Sequence, residues 1–252
     1  MKTCPLISVI TVVKNDAVGL LASAHSVLSQ HYPHIEWIVI DGLSTDLTSL
    51  YVKQLSPNLS KYTIERDDGI YSAMNKGIDM ATGEWTFFLN ADDVFYSSAT
   101  VGQYVRNIKD GDDFVYSDVI RREDGIVQRY PPPSQWHLGM IFDHQTVCGR
   151  TAIYRQLRFD DSYTIVGDFH LYSRARTLNY RFRKLPWLIG CRKSFDSGES
   201  SNYFKRQQER IRVIKSLFKD TRHRRALINE YDKRLHYGAL SATEYTELVN
   251  LL

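Results

Sequence analysis

Residues 83–96 read GEWTFFLNADDVFY, an apolar aromatic run that breaks off into paired carboxylates. Residues 85–89 have the length and aromatic content of a buried strand. Asn90 ends the run, and Asp92 and Asp93 follow at once. In an open α/β sheet, acids presented beyond a strand's carboxyl end build one wall of a ligand site. Carboxylates left beside apolar surface are costly unless something compensates them. Two readings do so: a bound divalent cation, or an N-cap by Asp92 or Asp93 on a helix beginning near Ser97.

Upstream, strand and helix patterns alternate. Residues 6–13 read as a strand, and 18–30 as a helix with Leu21, Ala24, Val27 and Leu28 on one face. A second strand at 35–40 precedes Asp41-Gly42 and a helix from about residue 46, and a third strand lies at 62–65. The helix at 70–81 carries Ile70, Ala73, Met74, Gly77, Ile78 and Ala81 at helical spacing. Such alternation implies a mostly parallel, doubly wound sheet with right-handed crossovers. All four strand ends carry polar residues, at 11–15, Asp41, Asp67-Asp68 and 90–93.

Downstream the pattern changes. Residues 114–119 and 126–130 flank Glu123-Asp124-Gly125, a hairpin signal. Three prolines follow at 131–133, and 137–150 reads as loop. A helix at 167–178, a strand at 182–191 interrupted by Pro186 and a polar loop at 194–202 come next. Beyond 203 the chain reads as helical and polar. The last helix has a capping box, Ser241 with Glu244, and a staple of Leu240 against Tyr245.

The 252 residues are 43% hydrophobic and 24% charged, an ordinary globular composition. The length suits a main domain, 1–202, with a helical arm, 203–252. Residues 204–236 hold eleven Lys and Arg against four Asp and Glu, a balance of +7, which leaves −4 for the rest of a chain whose formal total is +3. The arm has few aromatics to stack bases and the body is acidic, which argues against a nucleic-acid partner. Ile211, Ile214, Leu217 and Phe218 form an apolar stripe on this basic helix. The stripe either packs on the body or makes peripheral contact with an anionic membrane through 204–236. Cys4, Cys148 and Cys191 are scattered and odd in number, which suits a reducing cytosol and a cytoplasmic location. The apolar run at 5–13 is too short to span a membrane and lacks a cleavage site.

No Gly-rich turn follows the first strand and no Walker lysine occurs, so a diphosphate bound here needs another neutraliser. A hard cation on Asp92 would supply it. Asp41 could accept hydrogen bonds from a base or ribose, or cap the next helix as an Asx turn.

The segments ISVITVVKND, EWIVIDGLSTD, ERDDGIYSAMNKGI and GEWTFFLNADD, with the later Val166-Gly167-Asp168, occur in the order seen in family 2 inverting glycosyltransferases. The chain resembles that family over about residues 5–200, and within it the bacterial exopolysaccharide branch that includes colanic-acid-type enzymes. The resemblance implies a GT-A (nucleotide-diphospho-sugar transferase) fold, with a donor half at 1–96 and an acceptor half at 97–202. It implies a nucleotide-diphospho-sugar donor, a divalent metal such as Mn2+ or Mg2+, and a glycan or lipid-linked acceptor in surface polysaccharide biosynthesis. On this resemblance, Thr11 and Val12 line the base pocket beside Asn15, and Asp41 and Asp68 contact base or ribose. Asn75 lies under the donor, and His144 belongs to a polar pair with Gln145 near the sugar. Asn90-Ala91-Asp92 replaces the family's Asp-x-Asp, with Asp92 as metal ligand and the amide at Asn90 weakening metal affinity. Asp168 is the implied catalytic base, with Asp160 and Asp161 as neighbouring rivals; since it opens a helix, an N-cap is the alternative reading of Asp168.

Two other functions compete with sugar transfer. A sugar nucleotidyltransferase uses a similar sheet but needs a Gly-rich, Arg-bearing loop after the first strand, which 11–19 lacks. A non-catalytic binding protein for nucleotide sugars or anionic surfaces would bind donor without turnover.

Overall fold

The computed structural model describes residues 4–121, 124–138, 142–192, 202–218, 225–230 and 241–251. Its first half holds β1 (Ile7–Val13), α1 (Ala17–Leu28), β2 (Ile35–Asp41), α2 (Thr48–Leu55), β3 (Lys61–Ile64), α3 (Ile70–Met80) and β4 (Trp85–Phe88). The four strands are parallel and ordered β3-β2-β1-β4. Every residue of β1 is buried, as expected of a strand covered on both faces. Alternation divides its side chains between two cores. Ile7, Val9 and Val13 face α1 and α2 with Trp37 and Val39, while Ile10 and Val12 join Met74 and Ile78 of α3.

The second half contributes β5 (Val94–Phe95), α4 (Thr100–Asn107), β6 (Phe114–Arg121), β7 (Val127–Gln128), β8 (Val147–Arg150), α5 (Thr151–Leu157), α6 (Gly167–Thr177) and β9 (Phe182–Arg192). The sheet continues from β4 through β8 and β6 to β9 and β5, with β7 paired to β6 as the expected hairpin. The antiparallel strand β8 lies inside the stretch that reads as loop. At four residues, with Gly149 and Arg150 among them, it is too short and mixed for a periodic signal. Its place between β4 and β6 comes from tertiary pairing, Phe87 with Cys148 and Phe114 with Gly149. Pro186 does not end β9. The β6–β9 register shifts between Lys184 opposite Tyr116 and Leu188 opposite Asp118, and the proline sits in that irregularity, where a missing N–H is tolerated.

The helix boundaries agree with the periodicity within about two residues, with one change of face. In α1 the buried side is Leu20, Ala24 and Val27, and Leu21 and Leu28 are exposed. The helix expected near Ser97 starts at Thr100, and its N-cap residue Ala99 makes no side-chain cap bond. Asp92 and Asp93 therefore do not cap it.

The C-terminal arm packs on the body. Ile211, Val213 and Ile214 of α7 (Tyr203–Leu217) are buried in the core that contains α6, with Leu217 and Phe218 packed against it. The apolar stripe thus packs on the protein itself. In α8 (Ala242–Leu251) the Ser241–Glu244 capping box forms, with Ser241 N–H donating to Glu244 at 2.9 Å and Glu244 N–H to Ser241 Oγ at 3.2 Å. Its proposed staple residue Leu240, most of the 194–202 loop and residues 231–236 lie outside the described residues. Among the described residues no helix is long and apolar enough to cross a membrane. Cys4 and Cys148 are free thiols.

Candidate active site

A cleft of about 1280 Å³ opens beyond the carboxyl ends of β1, β3 and β4. One wall comes from the first half: residues 12–16, 67–71 and 90–93. The opposite wall is built from Gln128 and Tyr130 after the hairpin, 143–145, the loop 161–166 with Asp168, and Arg206, Gln207 and Arg210 of α7.

The turn after β4 is held on two sides. Ala91 N–H donates to Val12 O of β1 at 3.1 Å, and Asp92 N–H to Gly19 O of α1 at 3.0 Å. Ser23 Oγ lies 3.0 Å from Asn90 O and 2.9 Å from Asp93 O. These anchors fix Asp92 at φ 70°, a left-handed conformation that aspartate tolerates better than most residues.

The antiparallel pairing of β4 and β8 explains the next contact. Because β8 runs against β4, the turn that enters β8 lies beside the turn that leaves β4. His144, in a 3-10 turn (His144–Thr146), consequently meets Asn90, with Nε2 2.9 Å from the Asn90 Nδ2. The same ring lies 3.8 Å from Asp93 through Nε2 and 3.5 Å from Asp168 Oδ2 through Nδ1. Burial opposes the imidazolium, but the hydrogen bond to Asp168 and the charges of Asp93, Asp168 and Asp143 prevail and raise its pKa. Burial pushes the Asp93 carboxyl up to about 7 against the pull of His144, with Asp143 and Asp92 adding to the rise.

Asp168 occupies the first turn of α6, whose N-cap residue is Val166. It is therefore not the helix cap, and its nearest backbone bond is from Phe169 N–H at 2.7 Å. A Cβ on Gly167 would stand 2.7 Å from the Tyr71 ring, so only glycine lets α6 seat this closely on α3. Tyr71 also donates from its hydroxyl to Ile165 O at 2.7 Å.

The cleft brings together Val12, Asn15, Asp68, Asn90, Ala91, Asp92, His144 and Asp168. It leaves out three residues assigned to the donor. Thr11 is fully buried and accepts the Trp37 indole N–H at 3.0 Å. Asp41 is fully buried and accepts from Ser44 N–H at 3.0 Å and from the hydroxyls of Ser44 and Ser49. Both follow strand parity, lying with Trp37 and Val39 on the face toward α1 and α2. Asn75 ties α3 to the chain after α5, with Nδ2 donating to Phe159 O and Phe159 N–H donating to Oδ1, each at 2.9 Å. At the third strand end Asp67, not Asp68, makes the turn bond to Gly69 N–H. The rival base Asp161 lines the cleft too, while Asp160 accepts from Ser162 N–H in its own turn at 3.0 Å.

Among the described residues no group of three or more His, Cys, Asp or Glu is arranged to hold a metal ion. A hard cation shared with a diphosphate needs only one or two protein ligands, because phosphate and water oxygens complete its shell. Asp92 and the buried Asn90 Oδ1, which has no hydrogen-bond partner, fit that arrangement.

The fold is GT-A. It resembles Staphylococcus aureus TarS solved in complex with UDP-GlcNAc, with TM-score 0.71, 16% identity and coverage of 92% of this chain and 73% of that one. A mannosyltransferase, PcManGT from Pyrobaculum calidifontis, solved with GDP-Man and Mn2+, superposes with TM-score 0.65 and 18% identity over 86% of this chain and 65% of that one. In sequence, a PGL/p-HBAD biosynthesis glycosyltransferase of Mycobacterium bovis is 33% identical over 157 residues, 60% of each chain. A putative teichuronic acid biosynthesis glycosyltransferase, TuaG of Bacillus subtilis, is 36% identical over 92 residues, 35% of this chain and 36% of that one. The match to the mycobacterial relative therefore spans less than two thirds of its length. Residues 8–180, well over half of the chain, match the description Glycosyl transferase family 2, and the chain belongs to that family.

Proposed function

We propose that this protein is an inverting glycosyltransferase that moves a sugar from a nucleotide-diphospho-sugar to a hydroxyl of a glycan or lipid-linked acceptor, on the cytoplasmic side of surface polysaccharide assembly. The observation that carries the reading is that Asp92 and Asp168 line one cleft, where His144 bridges Asp168 to Asn90 in the turn that carries Asp92. The relatives named as a PGL/p-HBAD biosynthesis glycosyltransferase and a putative teichuronic acid biosynthesis glycosyltransferase support the substrate class. The neighbours solved with UDP-GlcNAc and GDP-Man support the donor class.

On this reading Val12, Val13 and Asn15 receive the nucleotide, and Asp68 borders it. Asp92, with Asn90, would hold a divalent cation that neutralises charge on the departing diphosphate. Asp168 takes the proton of the acceptor hydroxyl as that oxygen attacks the anomeric carbon opposite the diphosphate, which gives inversion. His144 keeps the Asp168 carboxylate oriented.

The test is Asp168→Asn, which preserves size but cannot accept the proton. General-base removal should lower transfer at least about a hundredfold, with donor-nucleotide binding and melting temperature near wild type. Near-normal transfer would remove Asp168 from the mechanism, and early melting would make it a structural residue.

A further inference from the structure

The arm helix α7 reaches into the loop that leads to Asp168, and one acid does most of the work. Glu209 Oε1 accepts from Thr164 N–H at 3.0 Å and from the Thr164 hydroxyl at 2.8 Å. Its Oε2 accepts from Ile165 N–H at 2.9 Å and Val166 N–H at 3.1 Å. Three consecutive backbone donors converge on one carboxylate, immediately before the first turn of α6. Burial works against the Glu209 charge, yet these bonds outweigh it and lower the pKa, so the group stays ionised near neutrality.

The clamp has a second jaw. Arg212, three residues on and so on the same helix face, donates to Ser162 O at 3.1 Å and stacks 3.7 Å above the Tyr163 ring. The backbone of Ile165 is held on both sides of its Cα, its N–H by Glu209 of the arm and its C=O by Tyr71 of α3. Asp168 follows three residues later, on a helix that already abuts Tyr71 at Gly167. A loop is the least constrained support for a catalytic group, and here the arm removes that freedom.

We propose that Glu209 is a positioning residue for the Asp168 carboxylate, through which the C-terminal arm sets the geometry of proton transfer. The inference rests on the reading of Asp168 as base. Glu209→Gln replaces one acceptor oxygen with a donor and sets it against backbone N–H groups, while Glu209→Asp keeps the charge on a shorter stem. A displacement of about 1 Å at a reacting group costs on the order of 10²-fold in rate.

The experiment measures kcat, donor KM and amide hydrogen exchange on the full chain for wild type, Glu209→Gln and Glu209→Asp. The expected result for Glu209→Gln is a kcat lowered by about 10²-fold with donor KM within about twofold of wild type. The 164–166 amides should lose protection in the same variant, with partial recovery of rate and protection in Glu209→Asp. Unchanged kcat with lost protection would overturn the proposal, because the loop would then be loose without consequence. Unchanged protection would overturn it too, as would kcat and donor KM failing together with global unfolding in both variants. Absence of transfer by the wild type with every donor tried, with the 164–166 amides still protected through Glu209, would instead indict the functional reading.

Discussion

His144 Nδ1 lies 3.5 Å from Asp168 Oδ2, and the opposite edge of the same ring lies 2.9 Å from the Asn90 amide nitrogen. One imidazole thus spans from the carboxylate read as base to the turn read as the diphosphate site. An amide N–H aimed at Nε2 requires an unprotonated Nε2, which puts the ring proton on Nδ1, toward Asp168. In the imidazolium both nitrogens donate, and rotation of the Asn90 amide would then offer Nε2 the Oδ1 that has no partner. The acids around His144 raise its pKa and so favour this second state.

His144→Gln should separate these roles. Glutamine keeps polar character but cannot bond Asn90 and Asp168 at once. Outer partners of a reacting group typically contribute about 10–100-fold, and transfer should fall by that amount, with donor-nucleotide binding changed less than about threefold. A rate equal to wild type would show that the ring merely fills the space between the walls.

Asp92→Ala tests the cation. With nucleoside diphosphate and manganese at a hundredfold excess over Kd, linkage predicts about 2.7 kcal/mol of added stability. Thermal melting should show that shift for wild type, its loss on chelation, and no manganese-dependent part in the variant. A nucleotide-induced shift in wild type that survives chelation would make Asp92 a turn residue only, consistent with its anchored left-handed backbone.

Periodicity made the parallel half of the sheet legible, because β1, β2 and β4 are mainly apolar runs closed by polar residues. The same regularity did not show where Thr11 and Asp41 point. Alternation turns both to the α1 and α2 face, outside the residues that line the cleft, where Trp37, Ser44 and Ser49 bond their polar atoms. Strand β8 was illegible because its identity depends on partners far away in sequence, and with it went the reason His144 meets Asn90. Glu209 carried no local signal beyond an acid in a basic helix. Only the packing of α7 on α6 reveals that it serves three amides some forty residues earlier. A Glu among Arg and Lys at helical spacing ordinarily makes exposed ion pairs.

The stretch beginning at Gly83 is itself held at its lower end by Glu36, and this gives a prediction with a definite pH sign. Glu36 is 6% exposed, and its carboxylate accepts from Gly83 N–H at 2.6 Å, from the Thr82 hydroxyl at 2.7 Å, and from Thr82 N–H and the Ser8 hydroxyl. Burial alone would raise its pKa, but the bonds from Ser8, Thr82 and Gly83 prevail and lower it. A carboxyl that ionises more readily when folded contributes stability above its unfolded pKa and loses it as pH falls through the folded one. Glu36→Gln should therefore cost about 1–3 kcal/mol at neutral pH, where it leaves buried donors without an acceptor. That corresponds to roughly 2–12 °C in melting temperature for a chain of this size. As pH falls below the ordinary carboxyl value and on through the lowered folded pKa, the wild type progressively loses this contribution and the gap should narrow. Because the residue lies at the end of the sheet away from the cleft, donor-nucleotide binding by the folded variant should match wild type. A gap that stays constant from pH 7 to pH 3.5 would assign the loss to packing and not to the carboxylate charge.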